Sequence, residues 1–561
     1  MTEISPPILP PRREWLSDAW RIGFILLLTL ATRGWLVAHT EVLSRDSIGF
    51  IRYALTIEDP PSDPANPNVK LSRVAVLQQS FHPPGYAVAI IAVSQPVRAI
   101  MGTTSESMAL SAQLTSVLTS LLIVFPLYFL GKILFDRPIA FVGTLIHQIL
   151  PVCEQITSDG LSDGLFMLTM ATALWFTALA FRRQSYGWFF ASGAAMGLSY
   201  LVRPEGLVLL LATGLVMMRC RWRGEVTWRK SVVQAGALFV GLLVVTGPYI
   251  ATIGRLTNKP TGNGLLRWLS GEALKPSWVT VSEAPEPPEA VNIPLARWWP
   301  DDGKGKGPTS SWAFHALVAE LLKATFYVLP FFSVLGLFLL RHEVRNDPGV
   351  SLLLLLGVCD VVLLWFIASG AGYLAERHAL PVVLSACYFA AAAFPILGEK
   401  LAMLPLLKRI GSASFWGAFL VTLYIAAIAP AGLKTLHPNR GGHLAVGRYL
   451  AAHAQPGDMI VDPFAWAEFH AGYIRSFPVP SSDQRVAYAV LEGGDNTHQR
   501  LHLLPAAKAV EEHGRLVYWW PEGQPPEHAK VRVYRYEGDD FAALWHEASK
   551  YWEGKAVKHE K

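Results

Sequence analysis

The first 435 residues alternate long apolar segments with short polar turns. A helix that crosses a bilayer needs about 20 mostly apolar residues. The pattern therefore predicts a polytopic α-helical membrane protein with about eleven transmembrane helices. The predicted spans lie at about 18–39, 108–131, 138–157, 164–181, 187–202, 207–218, 231–252, 320–340, 349–369, 379–398 and 412–433.

One further apolar stretch, about 84–101, is interrupted by Gln95 and Arg98. We interpret it as an amphipathic or partly inserted helix at the outer interface. Lys and Arg in short loops mark the cytoplasmic side of a membrane protein, and Arg12 and Arg13 precede the first span. We therefore expect an integral protein of the cell or inner membrane, with a cytoplasmic N-terminus and, after an odd number of spans, an extracytoplasmic C-terminus.

The composition changes near residue 434, where charged residues become more frequent. Strand-like and helical runs then alternate, which predicts a small extracytoplasmic α/β domain over residues 436–561. Residues 1–435 form the transmembrane domain in this interpretation, with outer loops at 40–107 and 253–313. The predicted strands are 459–462, 486–491, 516–519 and 531–536, and the predicted helices are 444–453 and 499–513.

Composition narrows the range of functions. Hydrophobic residues make up 52% of the chain, charged residues make up 16%, and the net charge is only +5 without a basic patch, so we expect no nucleic-acid partner. The four cysteines lie in or beside apolar segments and lack the paired spacing of a zinc site. We assign no metal site. A divalent metal is compatible with the sequence, but no motif implies one.

An acidic residue, Asp46, follows the first predicted span by about seven residues. A carboxylate in that position stays solvated and still meets a lipid-linked substrate arriving from the bilayer. Transfer to a hydroxyl group needs a general base beside the acceptor oxygen, and a carboxylate meets that need. The alternative interpretation is an exposed loop acid next to Arg45.

The motif His82-Pro-Pro-Gly-Tyr86 follows in the same outer loop. Its two prolines fix the chain and remove backbone donors, so the turn is rigid and presents a titratable imidazole. We expect His82 and Tyr86 to contact substrate. A cap at the start of the interfacial helix explains the motif equally well.

Asp159 and Asp163 are four residues apart, which places them on one helix face if the next span begins here in helical form. They would then line one pocket, although capping of the helix N-terminus is the alternative for both. Arg203 and Glu205 lie between two short apolar segments, and charges at membrane depth tend to be functional. A mutual ion pair that closes the turn is the other interpretation.

Arg377 and His378 lie at the outer end of a predicted span. A guanidinium group there can bind a phosphate through two parallel hydrogen bonds. Interfacial snorkelling of the long side chain is the alternative. We expect substrate-binding roles for both residues.

Together these motifs resemble the GT-C superfamily of polyprenol-phosphate-sugar-dependent glycosyltransferases, especially the aminoarabinose, lipopolysaccharide-core and protein O-mannosyltransferase branch. The resemblance covers about residues 15–435. It implies an extracytoplasmic active site, inversion at the anomeric carbon, the first-loop carboxylate Asp46 as the catalytic residue and the second-loop carboxylate Asp163 as its helper. Many relatives carry two adjacent acids in the first loop, whereas Arg45 and Ser47 flank Asp46 here. The motifs are Arg45-Asp46, His82-Pro-Pro-Gly-Tyr86, Ser162-Asp-Gly-Leu-Phe166, Gly197-Leu-Ser-Tyr-Leu-Val-Arg-Pro-Glu-Gly206 and Arg377-His-Ala-Leu-Pro381.

The expected function is transfer of a hexosyl or pentosyl group from a polyprenyl-phosphate-linked donor to a lipid, glycan or protein acceptor, with Asp46 as general base. A transporter or flippase of lipid-linked sugars is one alternative. A catalytically inactive scaffold of the same fold is another. On the acceptor side, we expect Trp268 and Trp298 of the long outer loop to stack on sugar faces. Asp458 and Asp462 are interpreted as strand-end residues of the C-terminal domain.

Overall fold

The computed structural model describes residues 11–63, 66–258, 310–371, 374–475, 484–493 and 503–545. Helices dominate the part before residue 435, as the apolar pattern predicts. Trp268 and Trp298, to which the sequence assigns acceptor contacts, lie outside the described residues. The predicted boundary between the two domains near residue 435 stays a prediction.

Nineteen α-helices are described before residue 435. They are α1 (Pro11–Ala38), α2 (Arg45–Glu58), α3 (Arg73–Gln79), α4 (Gly85–Met101), α5 (Ser105–Leu122), α6 (Val124–Leu134), α7 (Arg137–Ile149), α8 (Pro151–Ile156), α9 (Asp163–Arg183), α10 (Tyr186–Val202), α11 (Val208–Trp222), α12 (Trp228–Ile253), α13 (Ser310–Ala324), α14 (Leu329–Leu339), α15 (Arg341–Asn346), α16 (Pro348–Ala371), α17 (Leu380–Met403), α18 (Pro405–Lys408) and α19 (Ala413–Gly432). Short 3-10 helices at Pro204–Leu207 and Glu376–Ala379 precede α11 and α17, and a small hairpin pairs β1 (Ser62–Asp63) with β2 (Asn66–Lys70).

Within the described residues, seven helical segments are long and apolar enough to cross a membrane, or eight if α13 and α14, which meet at 90°, form one span. The predicted polytopic α-helical fold is therefore confirmed. The other three predicted spans correspond to α7 with α8, α10 and α11, whose helices are shorter than 18 residues. The count of eleven stays a prediction.

Close helix packing sets the direction of the chain before Arg203. Gly193 of α10 faces the backbone of Leu238 in α12, and Gly241 of α12 faces the backbone of Phe190 in α10. A Cβ atom at either glycine would overlap the facing carbonyl oxygen, so these helices approach closely only because both positions lack a side chain. The C-terminal end of α10 thereby carries Arg203 to a fixed place.

The C-terminal part contains a four-stranded sheet with the order β3-β4-β6-β5, in which β3 and β4 are parallel and the other pairs are antiparallel. All four strands match the predicted strand-like runs. The strands are β3 (Met459–Val461), β4 (Val486–Glu492), β5 (Arg515–Trp520) and β6 (Val531–Glu537), and the helices are α20 (Gly441–His453), α21 (Trp466–His470) and α22 (Leu504–His513).

Both faces of this sheet are covered. Met459 and Val461 pack in one apolar cluster with residues of α22, whereas Ile460 between them packs with residues of α20. Successive side chains of a strand point to opposite faces, so an unbroken apolar run indicates a strand buried on both sides. The result is a small α/β layer structure, as predicted.

Candidate active site

The helix that carries Asp46 is amphipathic and capped. The Ser44 side chain accepts a hydrogen bond from the backbone N–H of Ser47, which fixes the start of α2. Asp46 lies in the first turn, where a carboxylate is stabilised by the helix dipole. The apolar side chains three and four residues apart face the core, which leaves the polar first turn at the edge of the bundle. The buried apolar residues of α2 are Ile48, Phe50, Ile51, Ala54 and Leu55.

Asp159 holds the start of α2 in place. Its carboxylate accepts a hydrogen bond of 2.9 Å from the Ser44 backbone N–H, and its carbonyl oxygen accepts one of 2.6 Å from the Ser47 hydroxyl. The second carboxylate oxygen lies 2.9 Å from Nε2 of His437. With both oxygens engaged and 5% of the residue exposed, Asp159 positions α2. The substrate contact predicted for Asp159 stays a prediction.

Asp46 and Arg377 form an ion pair across 331 residues of sequence. The guanidinium Nη2 atom lies 2.5 Å from the Asp46 carboxylate, whose side chain is 48% exposed, while the Arg377 side chain is 21% exposed. The Arg377 side chain comes from the 3-10 turn that precedes α17. A carboxylate and a guanidinium, both predicted from the sequence as site residues, therefore meet at a place open to solvent.

His82 lies near the ion pair of Asp46 and Arg377. Burial opposes ionisation of Asp46, but the charge and hydrogen bond of Arg377 outweigh it, and His82 and Arg45 add to them, so the pKa of the Asp46 carboxyl lies well below its usual range. The His82 ring lies 4.8 Å from the ring of Phe50, on the same helix as Asp46. Three predicted site residues, Asp46, His82 and Arg377, are thus brought together.

Asp163 and Arg203 form a second, more enclosed ion pair. The Asp163 side chain is 1% exposed and that of Arg203 is 12% exposed, with the guanidinium 5.8 Å from the centre of the Phe166 ring. Asp163 is the first residue of α9, whereas Asp159 precedes the helix in a turn in which Gly160 has a φ of 73°. The expectation that both acids lie on one helical face is therefore wrong.

Tyr86, His378 and Glu205 are the remaining predicted site residues, and their substrate contacts stay predictions. The Tyr86 side chain is fully buried, its hydroxyl lies 2.9 Å from the Ser116 hydroxyl, and its ring meets Phe50 edge-on at 5.0 Å. Tyr86 therefore packs α4 against α2 and α5 and does not reach the open space. Nδ1 of His378 accepts a hydrogen bond of 3.2 Å from the Ala375 N–H and so shapes the turn that carries Arg377. Glu205, which is partly exposed, lies in the short 3-10 helix after Arg203.

Comparison with known proteins identifies the fold. The family described as dolichyl-phosphate-mannose-protein mannosyltransferase matches residues 82–250, a range that includes His82, Asp163 and Arg203. The oligosaccharyltransferase of Archaeoglobus fulgidus is similar over 91% of this chain and 74% of its own, with a TM-score of 0.52 and 14% identity. ArnT from Cupriavidus metallidurans, solved with undecaprenyl phosphate, is similar over 92% of this chain and 98% of its own, with a TM-score of 0.53 and 13% identity. The chain has the GT-C fold.

The resemblance to the GT-C superfamily stated from the motifs is thereby confirmed, and the fold and the family match indicate a glycosyltransferase-type membrane enzyme. No curated protein sequence matches the chain. The family match begins at His82 and ends before α13, so it includes neither Asp46 nor Arg377. The assignment of these two residues to the candidate site therefore rests on their ion pair in this structure.

In this GT-C fold the C-terminal part contacts the helix that carries Asp46, a feature that the sequence analysis missed. The indole N–H of Trp466 donates a 2.7 Å hydrogen bond to the Leu43 carbonyl. The Arg52 guanidinium pairs with Glu468 at 2.8 Å and donates to the Tyr473 carbonyl at 3.0 Å, with both charged side chains almost fully buried. No local pattern signals these contacts, because the partners lie in different predicted domains.

Asp462 supports this docking segment from within. Its two carboxylate oxygens accept hydrogen bonds from the backbone N–H groups of Phe464 and Glu468, and its side chain is fully buried. The interpretation of Asp462 as a strand-end residue is confirmed. It shapes the loop that presents Trp466 and Glu468 to α2.

We expect Glu468→Gln to destabilise the docked arrangement by about 3–5 kcal/mol, because removing one partner of a buried ion pair leaves the Arg52 charge uncompensated. The measurement is the midpoint of thermal unfolding of the purified GT-C protein. Glu527→Gln, an exposed substitution on the same part of the chain, is the matched control and should unfold as the wild type does. Equal unfolding midpoints for Glu468→Gln and the control would contradict a stabilising role for the pair.

Within the described residues, no group of three or more His, Cys, Asp or Glu side chains has an arrangement suited to a metal ion. The first loop offers Asp46 between Arg45 and Ser47, so a second adjacent carboxylate ligand is not supplied there.

Proposed function

We propose that the protein is an inverting glycosyltransferase that moves one sugar from a polyprenyl-phosphate carrier to a hydroxyl group of an acceptor outside the cytoplasm. The observation that carries the proposal is the ion pair between a half-exposed Asp46 and Arg377. Structures of similar fold support a polyprenyl-phosphate donor, since ArnT was solved with undecaprenyl phosphate and the Archaeoglobus enzyme with dolichol-phosphate.

In the proposed reaction Arg377 binds the donor phosphate. A guanidinium group forms two parallel hydrogen bonds to a phosphate, and the phosphate competes with the Asp46 carboxylate for them. As Arg377 turns to the donor, the pKa of Asp46 rises from its depressed value, because the charge and hydrogen bond that lower it are withdrawn. Donor binding thereby converts Asp46 from an ion-pair partner into a base.

The positions of Asp46 and Arg377 suit them to opposite parts of the chemical step. The acceptor hydroxyl attacks the anomeric carbon from the face opposite the phosphate, the bond from that carbon to the phosphate oxygen breaks, and the acceptor proton passes to Asp46. The polyprenyl phosphate leaves with its new negative charge stabilised by Arg377. Attack from the opposite face inverts the anomeric configuration.

The enclosed pair of Asp163 and Arg203 acts as support in this proposal. Asp163 is too buried to exchange protons with an acceptor, so it holds the Arg203 guanidinium in position. Arg203 is the more exposed of the two and provides a second cation for the donor. Glu205 and His378, on the turns beside the two arginines, are proposed as further contacts of the donor.

The C-terminal domain and the long outer loop are assigned to the acceptor side. Truncation near residue 436 is a poor test of this assignment, because it also removes the contacts of Trp466 and Glu468 with the segment that carries Asp46. Substitutions on the exposed surface of the domain are the better test. They should change acceptor use while slow hydrolysis of the donor continues.

The decisive experiment incubates purified protein with labelled polyprenyl-phosphate sugars and follows release of the lipid phosphate with and without an envelope extract as acceptor. We expect release that depends on the acceptor, together with transfer of the label to it. A flippase would instead move donor across the bilayer of a proteoliposome without release. An inactive scaffold would do neither, and either of these results would overturn the proposal.

A further inference from the structure

A groove of about 430 Å³ lies at the end of the helix bundle opposite to Asp46. Its walls come from α6, α9 and the start of α10. The lining residues that matter here are Phe129, Lys132, Trp175, Arg182, Arg183 and Trp188. Three are basic and three are aromatic, and the proposed transfer reaction uses none of them.

The length of α9 fixes the distance between this groove and the candidate active site. The helix begins at Asp163 and ends at Arg183, a length of 21 residues. At 1.5 Å per residue it extends for about 30 Å, the thickness of the hydrocarbon core of a bilayer. The groove therefore lies at the headgroup level of the leaflet opposite to the candidate active site.

The basic residues of the groove differ in how far their charges are already compensated. Lys132 lies 2.5 Å from Asp18, and Arg182 lies 3.1 Å from Asp347. Arg183 is exposed, lies with its guanidinium 5.6 Å from the centre of the Trp188 ring, and has no carboxylate partner in the part of the chain that the structure describes. The groove thus offers a positive charge beside an aromatic surface.

The aromatic wall adds an unsatisfied donor. Trp175 stacks on Phe129 with ring centres 5.5 Å apart. Its indole Nε1 atom is buried and has no hydrogen-bond partner among the described residues. A buried donor without an acceptor costs free energy. Indole rings with an apolar body and a polar N–H group are typical of the membrane interface.

We propose that this groove binds an anionic phospholipid. Arg183 and Arg182 bind the phosphate of the headgroup, and an acyl chain lies along Phe129 and Trp175. Basic pockets between membrane helices bind anionic headgroups in this way. A zwitterionic lipid fits less well, because its ammonium group would approach Arg182 and Arg183.

The test measures lipid binding to the purified full-length protein by native mass spectrometry. It compares phosphatidylglycerol with phosphatidylcholine of the same acyl chains. We expect phosphatidylglycerol to bind more tightly, and Arg183→Gln to weaken its binding about fivefold, since one basic residue near a membrane surface contributes about that factor. Arg183→Lys keeps the charge and should retain most of the affinity.

Arg229→Gln is the matched control, because Arg229 is exposed at the start of α12 and does not line the groove. The two helix ends are neighbours, since Gln234 of α12 donates to Gln184, the residue after Arg183. Equal loss of affinity in the two Gln variants would show that the overall charge of this surface, and not the groove, attracts the lipid. That result would overturn the proposal. Equal binding of the two lipids would also overturn it, as would displacement of the lipid by inorganic phosphate at the same concentration, which indicates a free-anion site.

Discussion

Asp46→Asn is expected to lower sugar transfer by a factor of about 10²–10⁴, the usual contribution of a positioned general base. The amide has nearly the same shape as the carboxylate but cannot accept the acceptor proton. Asp46 is half exposed and outside the apolar face of α2, so the variant should fold normally. The measurement is acceptor-dependent release of polyprenyl phosphate, accompanied by a thermal unfolding curve.

Asp59→Asn is the matched control for this substitution. Asp59 follows the same helix, is 45% exposed and pairs with Lys70 and Arg475, so its loss removes an outer carboxylate without touching the candidate active site. Its transfer rate should stay within about twofold of the wild type, as for most exposed substitutions. Full activity of Asp46→Asn in a folded protein would remove Asp46 from the mechanism.

Arg377→Gln is expected to lower kcat by about 10²–10³-fold, the loss seen when one preorganised group that stabilises the transition-state charge is removed. Donor binding should also weaken, because the glutamine side chain is neutral and lacks the paired donors of a guanidinium group. Steady-state kinetics separate the two effects. Weaker donor binding raises KM, and weaker stabilisation of the leaving phosphate lowers kcat. Arg475→Gln, an exposed cation of the same outer region, is the control and should change neither.

The same variant gives a pH test whose sign follows from the ion pair. Arg377 holds the pKa of Asp46 below its usual range, so in the wild type the carboxylate stays ionised as the pH falls. Without Arg377, the charge and hydrogen bond that lower the pKa of Asp46 are lost, so the carboxylate is protonated at a higher pH. The acidic limb of kcat/KM against pH, which reports the free enzyme, should therefore move to higher pH in Arg377→Gln. An unchanged acidic limb would show that the ion pair does not control Asp46.

Elements with a strong local signal were predictable from the sequence. The four strands of the C-terminal sheet agree with apolar runs such as Val486–Leu491, because a strand buried on both faces leaves a continuous apolar pattern. The long membrane spans are equally predictable, since few other structures accommodate about 20 consecutive apolar residues. The first-loop acid and Arg377 were selected by the same local reasoning, from charges placed just beyond apolar segments.

Partners that are distant in sequence were not predictable. Asp46 and Arg377 are 331 positions apart, and no local pattern in the sequence indicates that they form a pair. Asp159 and Asp163 have helical spacing, but a turn at Gly160 separates their contacts. Arg33 was overlooked, although an arginine inside a first span is costly without a partner, and the structure buries it beside Glu154.

The contact between Arg52 and Glu468 also constrains how the protein is made. The two residues are separated by 416 positions, so at about 5–20 residues per second the ribosome needs roughly 20–80 s to synthesise the segment that separates them. Until Glu468 has been synthesised, Arg52 lacks this counter-charge. The helix that carries Asp46 therefore reaches its final environment only near the end of synthesis. A chain interrupted before Glu468 lacks the buried ion pair that joins this helix to the C-terminal part.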